Sequence, residues 1–167
     1  MNKQVLNMNS TEIRRATNND YEDLCLLFSE LDAFHVAILP ESFRPFEGPA
    51  RPIEIVNEML TSEDRMIFLA VRNKEIAGFV DVKKSSNPPY PMFIPKDFAL
   101  IENLYVRSEF RGTGLAHTLF EKAKEWAKLQ GFSNLQLKVY NKNESAIKFY
   151  LKEGLLPLNT TFELDLR

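Results

Sequence analysis

The stretch Arg111-Gly112-Thr113-Gly114-Leu115-Ala116 constrains this 167-residue chain more than any other. Only six glycines are present, and two of them stand here, two residues apart. An apolar, strand-like run precedes them at residues 99–106, and a helix-like run follows at residues 115–130. A chain that turns from strand through glycine into a helix start presents several backbone N–H groups in one direction. The helix dipole adds partial positive charge at the same point. Such a turn is a phosphate-binding site built mostly of backbone. It is not a P-loop, since no GxxxxGK(S/T) occurs, and it lacks the GxGxxG dinucleotide fingerprint.

The chain reads as one globular domain, residues 1–167, with 44% apolar and 26% charged residues. A formal net charge of −2 and the lack of a Lys/Arg run argue against a nucleic-acid groove or a membrane-surface patch. Apolar runs such as residues 66–71 are too short to span a bilayer. The opening MNKQVLNMNSTE lacks the apolar stretch of a signal peptide. The single cysteine, Cys25, lies among leucines and reads as a small buried hydrophobe. The expectation is a soluble, cytoplasmic protein.

Residues 13–16 read as an opening strand, and Thr17 and Asp20 have capping-box spacing. Leu24, Leu27, Phe28 and Leu31 repeat as one buried helical stripe. Residues 34–50 crowd Phe34, His35, Phe43 and Phe46 among prolines and read as an ordered irregular loop. Pro52 suits the first turn of a second helix. Residues 66–71 and 76–84 are expected as the arms of a hairpin. Proline-rich residues 85–97 form a projecting loop. After the glycine turn a helix buries Leu115, Leu119, Ala123 and Trp126 and ends at Gly131. Leu135, Leu137 and Val139 alternate with polar residues as a strand, and a short helix runs from Asn143 to Lys152. In residues 155–167 Phe162, Leu164 and Leu166 alternate, which predicts a final strand. The strands ending at Val106 and Tyr140 are expected as parallel neighbours joined by a crossover.

Two spaced segments carry a resemblance. LYVRSEFRGTGLA at residues 104–116 and NKNESAIKFYLKEGL at residues 141–155 together resemble the GNAT superfamily of acyl-CoA-dependent N-acetyltransferases. The first is similar to its Q/R-x-x-G-x-G/A pyrophosphate loop, on Arg111, Gly114 and Ala116. The second is similar to its N-x-x-A-x-x-x-Y helix, on Asn143, Ala146 and Tyr150, followed by Gly154-Leu155. The opening Ile13-Arg14-Arg15-Ala16-Thr17 with Asp20-Tyr21 also resembles the family's start, and the element order agrees over nearly the whole chain.

The resemblance implies an α+β, three-layer fold with helices on both faces of a mixed, mostly antiparallel sheet. That sheet would hold about six to seven strands, with a V-shaped splay between two parallel ones. Acetyl-CoA is the implied cosubstrate, with no metal. Its pyrophosphate would lie on the amides of Gly112, Thr113, Gly114, Leu115 and Ala116 beside Arg111. Its pantetheine arm would pair with Leu104, Tyr105 and Val106, and Asn143 would bond a pantetheine amide. Arg107, Lys142 and Lys148 are candidates for the adenosine 3′-phosphate. A homodimer is compatible with the resemblance, though no sequence feature demonstrates one.

The chemistry sets its own demands. A primary amine has a pKa of about 10 and must lose a proton before it attacks the thioester. The oxyanion then needs a donor, and the leaving thiolate benefits from an acid. Tyr150 is the candidate acid, against a role as a packed aromatic. Glu102 is the candidate base, through ordered water, against a role as a paired strand carboxylate. The Val106 N–H is the candidate oxyanion donor, and His35 is an alternative base or a packing residue. The acceptor, a small-molecule or peptide amine, stays open; residues 34–49 and 85–97 would frame its pocket. A non-catalytic acyl-CoA-binding or sensor module is the alternative, and a nucleotide-phosphate-binding protein a weaker one.

Overall fold

The computed structural model describes residues 11–166. Residues 1–10, most of the opening segment read above for its polarity, lie outside the described residues, as does Arg167. The strands are β1 (Thr11–Arg15), β2 (Arg65–Arg72), β3 (Glu75–Ser86), β4 (Asp97–Val106) and β5 (Leu135–Leu137). The helices are α1 (Tyr21–Ile38), α2 (Ile53–Thr61), α3 (Leu115–Leu129) and α4 (Glu144–Lys152). One sheet in the order β1-β2-β3-β4-β5 carries the fold. The first four strands pair antiparallel, and β5 joins β4 in parallel.

Period-two alternation divides the core between the sheet's faces. Ile67, Leu69, Phe79 and Tyr105 pack with Leu24, Leu27 and Phe28 of α1 and Val56 of α2. Phe68, Ala70, Val80, Val82 and Ile101 pack with Leu119, Phe120, Ala123 and Trp126 of α3. With both faces covered, β2 and β3 need apolar side chains at nearly every position. Asn73 and Lys74, both at positive φ (53° and 68°), make the tight turn between them. Ahead of α1, the Asp20 carboxylate accepts from the Thr17 N–H (2.7 Å) and from two Arg14 nitrogens (2.9 and 2.6 Å). Arg14 is the main reason its carboxyl falls to about 2.

Four expectations need correction. The sheet has five strands among the described residues, not six or seven. Residues 155–166 form no strand: after the Gly154 turn no backbone hydrogen bond returns residues 156–164 to the sheet. Phe162, Leu164 and Leu166 are left 90%, 79% and 89% exposed. Residues 34–38 are helical rather than irregular, because Phe34 and Ile38 extend the apolar spacing of Leu31 and α1 continues until just before Pro40. Cys25 is half-buried, and its thiol donates to the Arg51 carbonyl (3.2 Å).

Candidate active site

The site begins where β4 loses a neighbour. β5 pairs only with Ala99, Leu100 and Ile101. From Glu102 to Val106 the strand continues without β5, and Lys138, Val139 and Tyr140 are no longer strand. The two parallel neighbours therefore stop pairing past Ile101, and the edge of β4 from Glu102 to Val106 faces a gap in the ladder. At the same point β4 bulges. Asp81 pairs with Asn103 and Val82 with Ile101, so Glu102 is the extra residue.

Backbone direction beyond the bulge follows from one bond. The Arg107 N–H donates to the Ala77 carbonyl (2.9 Å), toward β3. Alternation then turns the Val106 N–H and C=O the other way, into the gap. The Arg111 Nε donates to the Val106 carbonyl (3.0 Å) from that side. Gly78 sits opposite Val106. A Cβ there would fall well inside contact distance of the Tyr105 carbonyl oxygen and 3.0 Å from the Val106 Cα, so only glycine allows this approach.

The glycine turn follows directly. A 3-10 turn at Ser108–Phe110 leads to Arg111 in an extended conformation, then Gly112 and Gly114 at φ 73° and 86°. Gly114 is the N-cap of α3 and has no side chain with which to cap it. The Thr113 hydroxyl turns back to the Phe110 carbonyl (2.6 Å). Among the described residues no group accepts the N–H of Gly112, Thr113, Gly114, Leu115 or Ala116. Five successive donors at the positive end of a 15-residue helix are thus open to an anion.

The acetyltransferase (GNAT) family profile matches residues 33–155, nearly three quarters of the chain. The chain belongs to the GNAT acetyltransferase family. An uncharacterised N-acetyltransferase of Archaeoglobus fulgidus is 30% identical over 149 residues, covering 86% of this chain and 92% of that protein. A mutant of the BH1408 protein from Bacillus halodurans superposes with a TM-score of 0.87 at 25% identity, covering 93% and 99% of the two chains. An aminoglycoside N-acetyltransferase solved with CoA has the same fold, with a TM-score of 0.75 at 17% identity over 98% and 99%.

The other sequence-derived residues of this GNAT chain lie as follows. Tyr150 sits on α4 with its ring 6.4 Å from Phe120 and 5.3 Å from Phe149. Burial pushes its phenol up to about 12. Asn143 caps α4, its Oδ1 accepting from the Ala146 N–H (3.2 Å) and the Ser145 hydroxyl (3.1 Å), which leaves its NH2 for another partner. Glu102 is paired with Lys83 (3.0 Å). Leu104 is half-buried against the α3 core, while Tyr105 belongs to the α1 core. Arg107, Lys142 and Lys148 are paired with Glu30, Glu41 and Glu144. His117 lies 2.9 Å from both carboxylate oxygens of Glu153, tying the first turn of α3 to the end of α4.

Sequence reasoning missed two parts of the neighbourhood. One is a fully buried carboxylate, Asp81, held by Arg65 (2.7 and 2.6 Å) and by the Asn103 amide (3.0 Å). It underlies a cavity of ≈ 450 Å³ whose lining includes Glu58, Asp64, Lys83 and Glu102. An aspartate in an apolar strand pattern, bracketed by Val80 and Val82, was the available signal. The other is an aromatic cluster. His35 stacks on Phe43 (5.3 Å, 20°), and Tyr140 meets both rings edge-on (6.1 and 5.5 Å). Beside it Arg111 lies 5.7 Å from the rings of both Phe34 and Tyr105.

Proposed function

We propose that this GNAT protein transfers an acetyl group from acetyl-CoA to a primary amine by direct attack within a ternary complex. One observation carries the reading: five open amides at Gly112–Ala116 stand at the mouth of the gap beside Val106. In the proposal the diphosphate lies on those amides next to Arg111, and the pantetheine arm runs along Leu104, Tyr105 and Val106. Asn143 gives its amide NH2 to the arm. The Val106 N–H receives the oxyanion that forms when the amine attacks.

Tyr150 donates to the departing sulfur. Its raised pKa keeps the phenol protonated at working pH, so it acts as a hydrogen-bond donor to the thiolate. Glu102, brought to the cavity by the bulge, attracts the ammonium form and passes on to water the proton that the amine gives up. Glu58 and Asp64 line the same cavity together with Arg51, Arg65, Lys83 and Lys84. We place the reaction in the cytoplasm; no described helix is long and apolar enough to cross a membrane. We also infer a homodimer that joins through the C-terminal segment, an inference supported by the apolar side chains exposed at Phe162, Leu164 and Leu166.

The sensor alternative draws on one feature: Glu102 is already paired with Lys83. Calorimetry with CoA, followed by thiol release from acetyl-CoA across a panel of primary amines, separates the readings. Binding with turnover supports the transferase, and binding without turnover supports the sensor. A protein that binds no CoA contradicts both.

A further inference from the structure

We propose that His35 takes the proton from the acceptor amine as it enters the gap beside Val106, a role that rests on the transferase reading above. The last turns of α1 reach across that gap. On one side His35 meets Tyr140, three residues past the end of β5 (ring centroids 6.1 Å). On the other, the neighbouring Phe34 lies over Arg111, which bonds the Val106 carbonyl on β4. Helix α1 is therefore tied to both walls, the imidazole to the Tyr140 side and Phe34 to the Arg111 side. Glu102 is four residues back from Val106, about 13 Å along the strand, and reaches the same point only through water.

The ring is available for this work. The only histidine side-chain hydrogen bond among the described residues belongs to His117, so neither His35 nitrogen has a protein partner. The ring is half-buried, yet no side-chain nitrogen or oxygen among the described residues is both sealed from solvent and unpaired. Neither nitrogen is thus sealed from solvent. The rings of Phe43 and Tyr140 flank it, and aromatic rings are the kind of neighbour that attracts an ammonium group.

Burial lowers the His35 pKa and Asp32, on the same helix, opposes the shift, so the ring stays neutral near pH 7. The titratable side chain facing it from another element is the Tyr140 phenol (ring centroids 6.1 Å), and the one charge acting on it is Asp32 on its own helix.

The step balances. The ammonium gives one proton to a His35 nitrogen, and its freed electron pair attacks the thioester carbonyl carbon. The C–N bond forms and the C–S bond breaks. A second amine proton passes to the CoA thiolate, and the third remains on the new amide. The imidazolium returns its proton to solvent.

The test is His35→Phe, which keeps the ring stack and removes both nitrogens. Thiol release from acetyl-CoA is measured with benzylamine, an ammonium at neutral pH, and with methoxyamine, which is already neutral there. Calorimetry with CoA and a melting curve accompany each protein. The expected loss with benzylamine at pH 7 is about 100-fold, with a several-fold smaller loss for methoxyamine. The pH profiles should also separate. Wild type should be nearly flat with benzylamine above about pH 6.5, while the variant should climb about tenfold per pH unit, because only neutral amine then reacts. Equal losses with both amines, an unchanged profile, or no loss overturns the proposal. If wild type binds CoA and acetylates neither these two amines nor any of the panel above, the transferase reading fails and this role falls with it. Turnover with a profile that does not change in the variant removes His35 alone.

Discussion

Replacing Gly112 by glutamate should separate cofactor binding from folding. Gly112 sits at φ +73°, and a Cβ there would meet nothing within 4 Å. The cost to the free protein is therefore the left-handed backbone alone, about 1–2 kcal/mol. In a chain of this size that lowers the melting temperature by about 2–8 °C. Bound diphosphate meets a harsher change. A carboxylate about 5 Å from one phosphate charge is repelled by about 3 kcal/mol at an effective dielectric of about 20. Each 1.4 kcal/mol is about tenfold in affinity, so CoA should bind at least about 100-fold more weakly. Gly112→Ala carries the strain without the charge and should lose less than about tenfold. Isothermal titration with CoA, beside melting curves for both variants, measures each quantity. A folded Gly112→Glu protein that binds CoA within about threefold of wild type would refute the seat proposed for the diphosphate.

Further outcomes follow from the same geometry. Tyr150→Phe should lower kcat by about 100-fold while leaving the CoA dissociation constant unchanged. Because the phenol is held at about 12 and acts while protonated, the wild-type rate should show no fall on the alkaline side up to about pH 10. Asp81→Ala leaves Arg65 charged without its partner. Since the Arg65 side chain is 19% exposed, the loss belongs near the lower end of the range for broken buried pairs, about 3 kcal/mol by urea titration. Light scattering on the full chain should give twice the 19.3 kDa chain mass, and Phe162→Asp with Leu164→Asp should return it to one. A wild-type monomer would remove the dimer from the proposal.

Much of the fold is legible because local and tertiary preferences agree. The alternating and continuous apolar runs of β2 to β4 and the stripe of α3 depend on nothing outside their own segments. The glycine turn is equally legible, since positive φ at Gly112 and Gly114 is what glycine makes inexpensive. The end of α1 was obscured by composition: Phe34 and His35 look like loop aromatics until Ile38 is included in the same spacing. The tail misleads for the opposite reason. Phe162, Leu164 and Leu166 have the pattern of a strand, but a strand also needs a neighbour, and among the described residues none pairs with them.

The candidate site divides along the same line. Backbone donors at Gly112–Ala116 and the cap at Asn143 depend on short segments and could be read directly. Glu102 could be placed on β4, but its bulge depends on the register between β3 and β4, and the Gly78 contact behind Val106 crosses the same pair. The Asp81–Arg65–Asn103 network joins three strands and has no sequence signature as a unit. His35 gains meaning only from Tyr140, which is 105 positions away, and from Phe34 over Arg111. Side chains that act from a shared surface become visible only after the chain has brought them together.

The most direct measurement is a backbone amide NMR titration of the full chain with CoA. The Gly112, Thr113, Gly114, Leu115, Ala116 and Val106 signals should move together with one dissociation constant. CoA that binds while those amides stay still, with the changes elsewhere on the surface, would contradict the claim that this turn holds the cofactor's diphosphate.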